Sequence, residues 1–398
     1  MYLNEIANLL GNYKFKNKRI NKIRIDSRLI EKDDVFITIN DGYKYIDAAI
    51  KNGAALIITN IDYNTDIPII KIDNPILVLG KIAKYIRNHY TGTVIAITGS
   101  NGKTTTKDLL SYLLSNKYKV LKSIGSQNNH IGIPNTLLEL DNTYDFAVLE
   151  LGTNHPGEID YLTNIVNPNI AIITNIGSSH IGNFGSLDNI FKEKISIKKD
   201  NTILFVNGED NYLKKLDCIK VYKKDYDYKC NIDYLYMNYY LVFKVCEYLK
   251  MNIDYIYTMA KKFKMSESRM NKYVINGITL IDDAYNASYE SVVSGINSLI
   301  GNRKIIILGD MLELGEYTEY YHEMINKLIG RIKNKYIITI GKYANIIKSN
   351  NHFNNINDLL KYLELFNYKK GDIIYIKGAH KIGLYKIVPR CIKILQSL

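Results

Sequence analysis

The sequence predicts an α/β protein of several domains built on parallel sheets, and three observations carry that expectation. At 398 residues the chain exceeds one ordinary core, so two or three domains are expected. Short, wholly apolar runs bounded by turns alternate with amphipathic stretches, the pattern of parallel strands covered on both faces by helices. One such run opens on a glycine-rich loop, VIAITGSNGKTTTKDLL at 94–110.

From about 22 to 85 the apolar runs VFITI, AALIIT and PILVL accompany a helical stretch at 45–52, which reads as a small α/β unit. Residues 82–89 lead into a strand at 93–98. The order then becomes VIAIT, the helix KDLLSYLLSN, DFAVLEL and NIAIITNI. The lysine- and tyrosine-rich segment 210–235 is the least structured-looking part, and helices are expected at 236–250 and 253–263. A third α/β unit starts near Tyr273: GITLID, a helix at 289–300, KIIILGD, a helix at 317–333, KYIITIG and DIIYIKG.

Residues 98–105 fit the short phosphate-loop pattern G-x-x-G-K-[ST] between a buried strand and a helix. Glycines let backbone N–H groups close on phosphate oxygens, and the helix N-terminus adds positive potential. Gly99, Ser100, Asn101, Gly102, Lys103, Thr104 and Thr105 are therefore the candidate nucleotide-binding residues. Lys103 would neutralise the β- and γ-phosphates and Thr104 would join a Mg²⁺ shell. The longer pattern wants glycine at position 97, where this chain has Ile97. A second acidic ligand is expected at the end of a neighbouring strand, and Glu150 ends AVLE. His180 follows the strand IAIITNI and reaches the same carboxyl rim, where doubly wound folds bind ligands.

The formal charge of +12 comes from 52 basic and 40 acidic residues. Most of it is lysine scattered along the chain with no arginine-rich run or RNA-binding motif, so no nucleic-acid partner is expected. No apolar run reaches membrane-spanning length, and the N-terminus lacks a signal-peptide core. The four cysteines, Cys218, Cys230, Cys246 and Cys391, have no metal-binding spacing and read as reduced thiols of a cytoplasmic protein.

These motifs together resemble the Mur ligases, ATP-dependent enzymes that form amide bonds in cell-wall peptide assembly. That family uses T-G-[ST]-N-G-K-T-[ST], without the first glycine, which accounts for Ile97. The resemblance is carried further by ELGTNHPGEIDYLT at 150–163, TNIGSSHIGNFGSLDNIFKEK at 174–194, DDAYNAS at 282–288, GDMLELGEYTE at 309–319, QNNHIGIPNTLL at 127–138 and IDSR at 25–28. Within the family, these segments look like those of the members that add D-alanyl-D-alanine to a UDP-linked muramoyl tripeptide through an acyl phosphate.

The resemblance implies three domains: residues 1–88 binding the UDP end of the substrate, 89–272 binding ATP and shortened after about 207, and a Rossmann-like ligase domain at 273–398. It places Asp26, Ser27, Arg28, Asn128 and Asn129 against the substrate, and Arg269, Asn286 and Asp310 near the nucleotide. It makes Lys103, Glu150, His180 and Lys194 catalytic, with Thr104, Glu150, His180 and a carbamylated Lys194 holding magnesium. A cytoplasmic monomer acting on small molecules is implied, without membrane insertion. Departures are Tyr234 at a histidine position (Asn238 is retained), Lys377-Gly378-Ala379-His380 where the family has K-G-S-R, Ser288 in place of proline, and a shortened loop before Asp41-Gly42. They keep open a Mur-type ligase joining another acid and amine, or a non-catalytic nucleotide-binding relative.

Overall fold

The computed structural model describes residues 1–11, 13–228 and 235–398; Cys230 and Tyr234 lie outside the described residues. The strands form three sheets. The N-terminal sheet contains β1 (Ile23–Arg24), β2 (Val35–Ile37), β3 (Leu56–Thr59) and β4 (Ile69–Lys71), in that order and all parallel. The central sheet comprises β5 (Thr93–Thr98), β6 (Val120–Lys122), β7 (Phe146–Glu150), β8 (Ile170–Ile173), β9 (Ile203–Asn207) and β10 (Ile219–Val221), ordered β10-β9-β8-β5-β7-β6 and again all parallel. The third sheet comprises β11 (Asn271–Ile275), β12 (Ile278–Asp282), β13 (Lys304–Gly309), β14 (Lys335–Ile340), β15 (Asn351–Phe353) and β16 (Ile373–Lys377). Its order is β11-β12-β16-β13-β14-β15, with only β11 antiparallel to its neighbour.

Each sheet separates two apolar clusters. In the central domain Ile95, Ile97 and Val148 face one cluster, whereas Val94, Ala96, Ala147 and Leu149 face the other. The same alternation divides Ile306 and Leu308 from Ile305 and Ile307 in β13. Burial on both faces explains why these strands read as unbroken apolar runs. Ile97 is fully buried, a core position belonging to the strand and not to the loop.

PILVL, grouped with the strand-like runs, is instead the first turn and a half of the helix Pro75–His89. Asn74 accepts hydrogen bonds from the N–H groups of Ile76 and Leu77, and Pro75 occupies a first-turn position. Capping plus a preset φ selects helix over strand. The strand of this region is β4, just before it. The same helix packs Val78, Leu79 and Ile82 on the N-terminal core and Ala83 on the central one. It thus runs across the expected division at residue 88. The division near Tyr273 falls within β11, whose antiparallel pairing to β12 makes it part of the third sheet.

Register positions the functional rim. Ile97 pairs with Glu150 and Thr98 with Ile173, so the chain leaves β5, β7 and β8 at one level. In the third sheet Asp282 pairs with Ile376 and Leu308 with Lys377, which brings Asp283, Asp310 and Lys377 to a second rim. No helix among the described residues is long and apolar enough to cross a membrane.

Candidate active site

The phosphate loop joins β5 to the helix Lys103–Ser115. Gly99 and Gly102 have φ of +145° and +82°. A Cβ on Gly99 would lie 1.9 Å from Thr174 Oγ1, and one on Gly102 would lie 2.6 Å from the Asn238 amide. Both positions require glycine for conformation and for space. The loop is fastened to the next strand's exit: Ser100 Oγ donates to the Gly177 carbonyl at 3.0 Å, and Asn101 N donates to Asn175 Oδ1 at 2.9 Å. Lys103 Nζ turns back onto the loop, donating to the carbonyls of Gly99 at 2.8 Å and Ser100 at 3.3 Å. Burial lowers its pKa, nearby Arg269 lowers it further, and Glu150 opposes both.

Glu150 is buried at the end of β7. Asn128 Nδ2 donates to its Oε1 at 2.9 Å, whereas Oε2 has no hydrogen-bond partner among the described residues. Lys107 Nζ lies 3.9 Å from that oxygen and donates to the Gly125 carbonyl at 3.1 Å. Thr104 Oγ1 accepts a hydrogen bond from Arg269 Nη2 at 3.0 Å, and the guanidinium lies 4.0 Å from the centre of the Tyr285 ring. Mg²⁺ favours oxygen ligands and normally shares its shell with substrate phosphates. The free Glu150 oxygen and the Thr104 hydroxyl suit it on that chemistry. Among the described residues, no group of three or more His, Cys, Asp and Glu side chains could hold an ion by itself.

Lys194, on the helix Leu187–Ile195, is buried, its side chain makes no hydrogen bond or ion pair among the described residues, and it is not one of the residues that line the cavity described below. Burial and then the positive charge of Lys103 hold its pKa well below the usual lysine range, with Glu193 opposing. Glu193 is committed elsewhere, accepting from Gly157 N and Ile159 N at 2.7 Å and capping the helix Glu158–Val166. A buried ammonium without a partner is costly, so Lys194 fits a cation site only in an anionic form.

Both rims close on one cavity of about 510 Å³, lined by the phosphate loop, Asn128, Asn129, Glu150, His180, Asn238, Arg269 and Asn286. Ser288 Oγ donates to Asn101 Oδ1 at 2.8 Å, and Ser178 N donates to Glu290 Oε1 at 2.8 Å. The third domain therefore touches the loop directly. Lys377 Nζ is 2.6 Å from Asp283 Oδ2, and Tyr375 Oη donates to the same oxygen at 2.9 Å.

Not every expected residue meets the cavity. The Asn129 side chain lines it, but its Oδ1 accepts from Ile131 N and Gly132 N and so braces a helix start. Asp310 is turned away: its carboxylate accepts from the N–H groups of Lys342, Tyr343 and Ala344 at 2.7–3.0 Å. Expected near the nucleotide, it is not among the residues lining the cavity and instead braces the turn after β14. Asp26, Ser27 and Arg28 lie on the N-terminal domain outside this cavity. Arg28 pairs with Asp26 at 2.6 Å, and that contact holds the Asp26 carboxyl below its ordinary range. Sequence reading passed over Tyr285, Glu290 and Glu313, whose Oε2 comes within 2.6 Å of His180 Nδ1, as individual residues; Tyr285 and Glu313 lay inside quoted motifs, Glu290 lay two residues beyond DDAYNAS, and Ser288 was noted only as a departure. Cys218, Cys246 and Cys391 are free thiols, as expected for those three.

The family model described as the Mur ligase middle domain matches residues 97–242, and that described as the Mur ligase glutamate ligase domain matches 268–380. A UDP-N-acetylmuramoyl-tripeptide–D-alanyl-D-alanine ligase from Buchnera aphidicola is 32% identical, over 94% of this chain and 93% of its own. The ligase of the same description from Bacillus subtilis is 28% identical, over 96% and 95%. The crystal structure of MurF from Acinetobacter baumannii superimposes with a TM-score of 0.89 at 23% identity, covering 98% of each chain. MurF from Thermotoga maritima, solved in complex with ADP, gives 0.85 at 26% identity, covering 94% of this chain and 98% of its own. By matched length, by identity and by three successive sheets in one order, the chain belongs to the Mur ligase family.

Proposed function

We propose that this chain is the ATP-dependent ligase that adds D-alanyl-D-alanine to UDP-N-acetylmuramoyl-tripeptide, acting as a cytoplasmic monomer in peptidoglycan precursor synthesis. One observation carries the chemistry: the phosphate loop and the rim of the third sheet close on a single cavity. The full-length similarity to D-alanyl-D-alanine ligases supports the choice of substrates.

A peptide carboxylate is a poor electrophile. Its oxygen attacks the γ-phosphorus of ATP, forming an O–P bond as the bond to ADP breaks. The amine of D-alanyl-D-alanine then adds to the acyl carbon, loses a proton, and expels phosphate as the C–O bond breaks. Lys103 and the loop N–H groups hold phosphate oxygens and offset the charge that gathers on them in transfer. Arg269, braced against Tyr285, offers a second cation beside Thr104. The third domain covers the cavity and excludes water that would hydrolyse the acyl phosphate. Thr104 and Glu150 would hold magnesium, with Lys194 joining as a carbamate and His180 through its ring, and the ion would supply charge neutralisation for the β- and γ-phosphates. Asn128 orients Glu150, and Asn286 faces the nucleotide.

Phosphate release from ATP with UDP-muramoyl-tripeptide, measured with and without D-alanyl-D-alanine, tests this function. Release should require both substrates, at constant specific activity on dilution. Release with a different amine only would point to another Mur-type specificity, which the altered segment 377–380 motivates. No release under any pairing would overturn the ligase assignment.

A further inference from the structure

Lys107 lies one turn beyond Lys103 on the helix Lys103–Ser115, and its whole side chain is buried. It does not line the cavity, and the phosphate chemistry above makes no use of it. A buried ammonium is retained only where its protons are met. Its Nζ donates to the Gly125 carbonyl at 3.1 Å, whereas the carboxylates of Asp108 and Glu150 stand off at 3.6 and 3.9 Å. The hydrogen bond to the turn, more than either ion pair, sets where the amine sits.

Gly125, with φ of +54°, forms the turn of the segment 123–129, which leaves β6 and brings Ser126, Asn128 and Asn129 to the cavity. Both ends of that segment are fastened to the exit of β7. Ser123 Oγ accepts from Glu150 N at 3.1 Å, Asn128 Nδ2 donates to Glu150 Oε1 at 2.9 Å, and the Asn128 carbonyl accepts from Gly152 N at 2.8 Å. The turn between these anchors has little packing to hold it, since Ile124 beside it is 71% exposed. A turn short of apolar contacts opens easily unless polar contacts restrain it. Resting on the ligase function above, we propose that Lys107 is a positioning residue for the acyl substrate. It ties the turn at Gly125 to the phosphate-loop helix, so the segment that meets UDP-muramoyl-tripeptide is held in register with the nucleotide's loop before either ligand binds. Such register matters because the carboxylate must approach the γ-phosphate in line, and small displacements of reacting groups cost rate steeply.

Three variants of the full chain test this. Lys107→Met keeps the stem and removes the donor, and Lys107→Gln keeps a donor one bond shorter. Lys122→Met, the control, removes the cation that donates to Asp108 at 3.0 Å and leaves Gly125 untouched. In Lys107→Met, amide hydrogen exchange across 124–129 without ligand should quicken about 10- to 100-fold, the worth of a charged hydrogen bond. Its KM for UDP-muramoyl-tripeptide should rise about 10-fold or more, with KM for ATP and kcat within ~3-fold of the parent. Lys107→Gln should move both readings in the same direction by less, and Lys122→Met should leave both within ~2-fold. Unchanged exchange across 124–129 in Lys107→Met would overturn the role. So would an equal rise in KM for ATP, which would place the action of Lys107 on the phosphate site through Glu150. Should Lys107→Met fail to fold, Lys107→Gln decides by the same two readings. If the parent shows no ligase turnover, the assigned reaction fails, and the exchange rates still decide whether Lys107 holds the turn.

Discussion

The two six-stranded sheets turn their carboxyl rims toward one cavity, yet the rims differ in how their buried polar atoms are met. On the third sheet the charges are closed among themselves. Asp310 accepts three backbone N–H groups, and Asp283 is held by Lys377 and Tyr375. On the central rim Glu150 Oε2, Asn101 Nδ2 and His180 Nδ1 are buried without a hydrogen-bond partner among the described residues. Buried polar atoms are nearly always paired in folded proteins. A rim that leaves several unpaired bears a cost that a bound ligand offsets, whereas a closed rim serves as a rigid wall. The third domain thus acts as the wall and the central domain as the receptor.

Breaking the closed rim should cost stability. Lys377→Met leaves the Asp283 carboxylate in a buried position with only a tyrosine hydroxyl for support. Removing one partner of a buried pair costs about 3–5 kcal/mol, readable as a fall in urea midpoint at constant m. Adding Asp283→Asn should return much of it. A loss below ~1 kcal/mol would show the pair to be solvated and the contrast between rims to be false. Breaking the open rim should leave stability nearly alone and reduce turnover. Lys194→Ala should lower kcat by about 10²-fold, near 2.7 kcal/mol of barrier, with partial rescue by formate or acetate standing in for a carbamate. Full activity, or loss without rescue, would return Lys194 to a packing role.

Sequence made the receptor rim legible because its residues sit at strand ends and in glycine-rich turns, where spacing alone fixes their place. Gly99, Lys103 and His180 follow, and Glu150 ends, apolar strands whose register brings the exits level. The third domain's part was hidden. Ser288 and Glu313 act across a domain junction, and no local pattern encodes which surface a docked domain will meet. Asp310 shows the reverse: a motif acid at a strand end whose oxygens were taken by a turn 32 residues on. Strands were missed where burial is one-sided or short. The lysine-bearing β6 and β10 have three residues each, and the exposed β11 lacks the apolar run that marks a covered strand. PILVL failed for a different reason: an apolar run carries no period, and the asparagine cap before it decided for helix.

The smallest expected effect concerns a buried histidine in the wall. His322, fully buried, accepts from Met311 N on Nε2 at 3.2 Å and meets the Thr318 carbonyl with Nδ1 at 2.7 Å. That arrangement needs a neutral ring with its proton on Nδ1, and it anchors the start of the loop that carries Glu313. Burial lowers the His322 pKa, so between its lowered value and the ordinary value near 6.5 the unfolded chain binds a proton that the folded chain does not. Stability must then rise with pH through that window and fall as the solution is acidified below about 6.5. Between pH 7 and 5 the loss is at most about 2 kcal/mol. His322→Gln can still accept from Met311 N and donate to Thr318, without titrating. The parent should therefore lose stability relative to His322→Gln as pH falls from 7 to 5 in denaturant titrations. A gap independent of pH would mean that the protonated ring is tolerated and that the loop is anchored by something other than this imidazole.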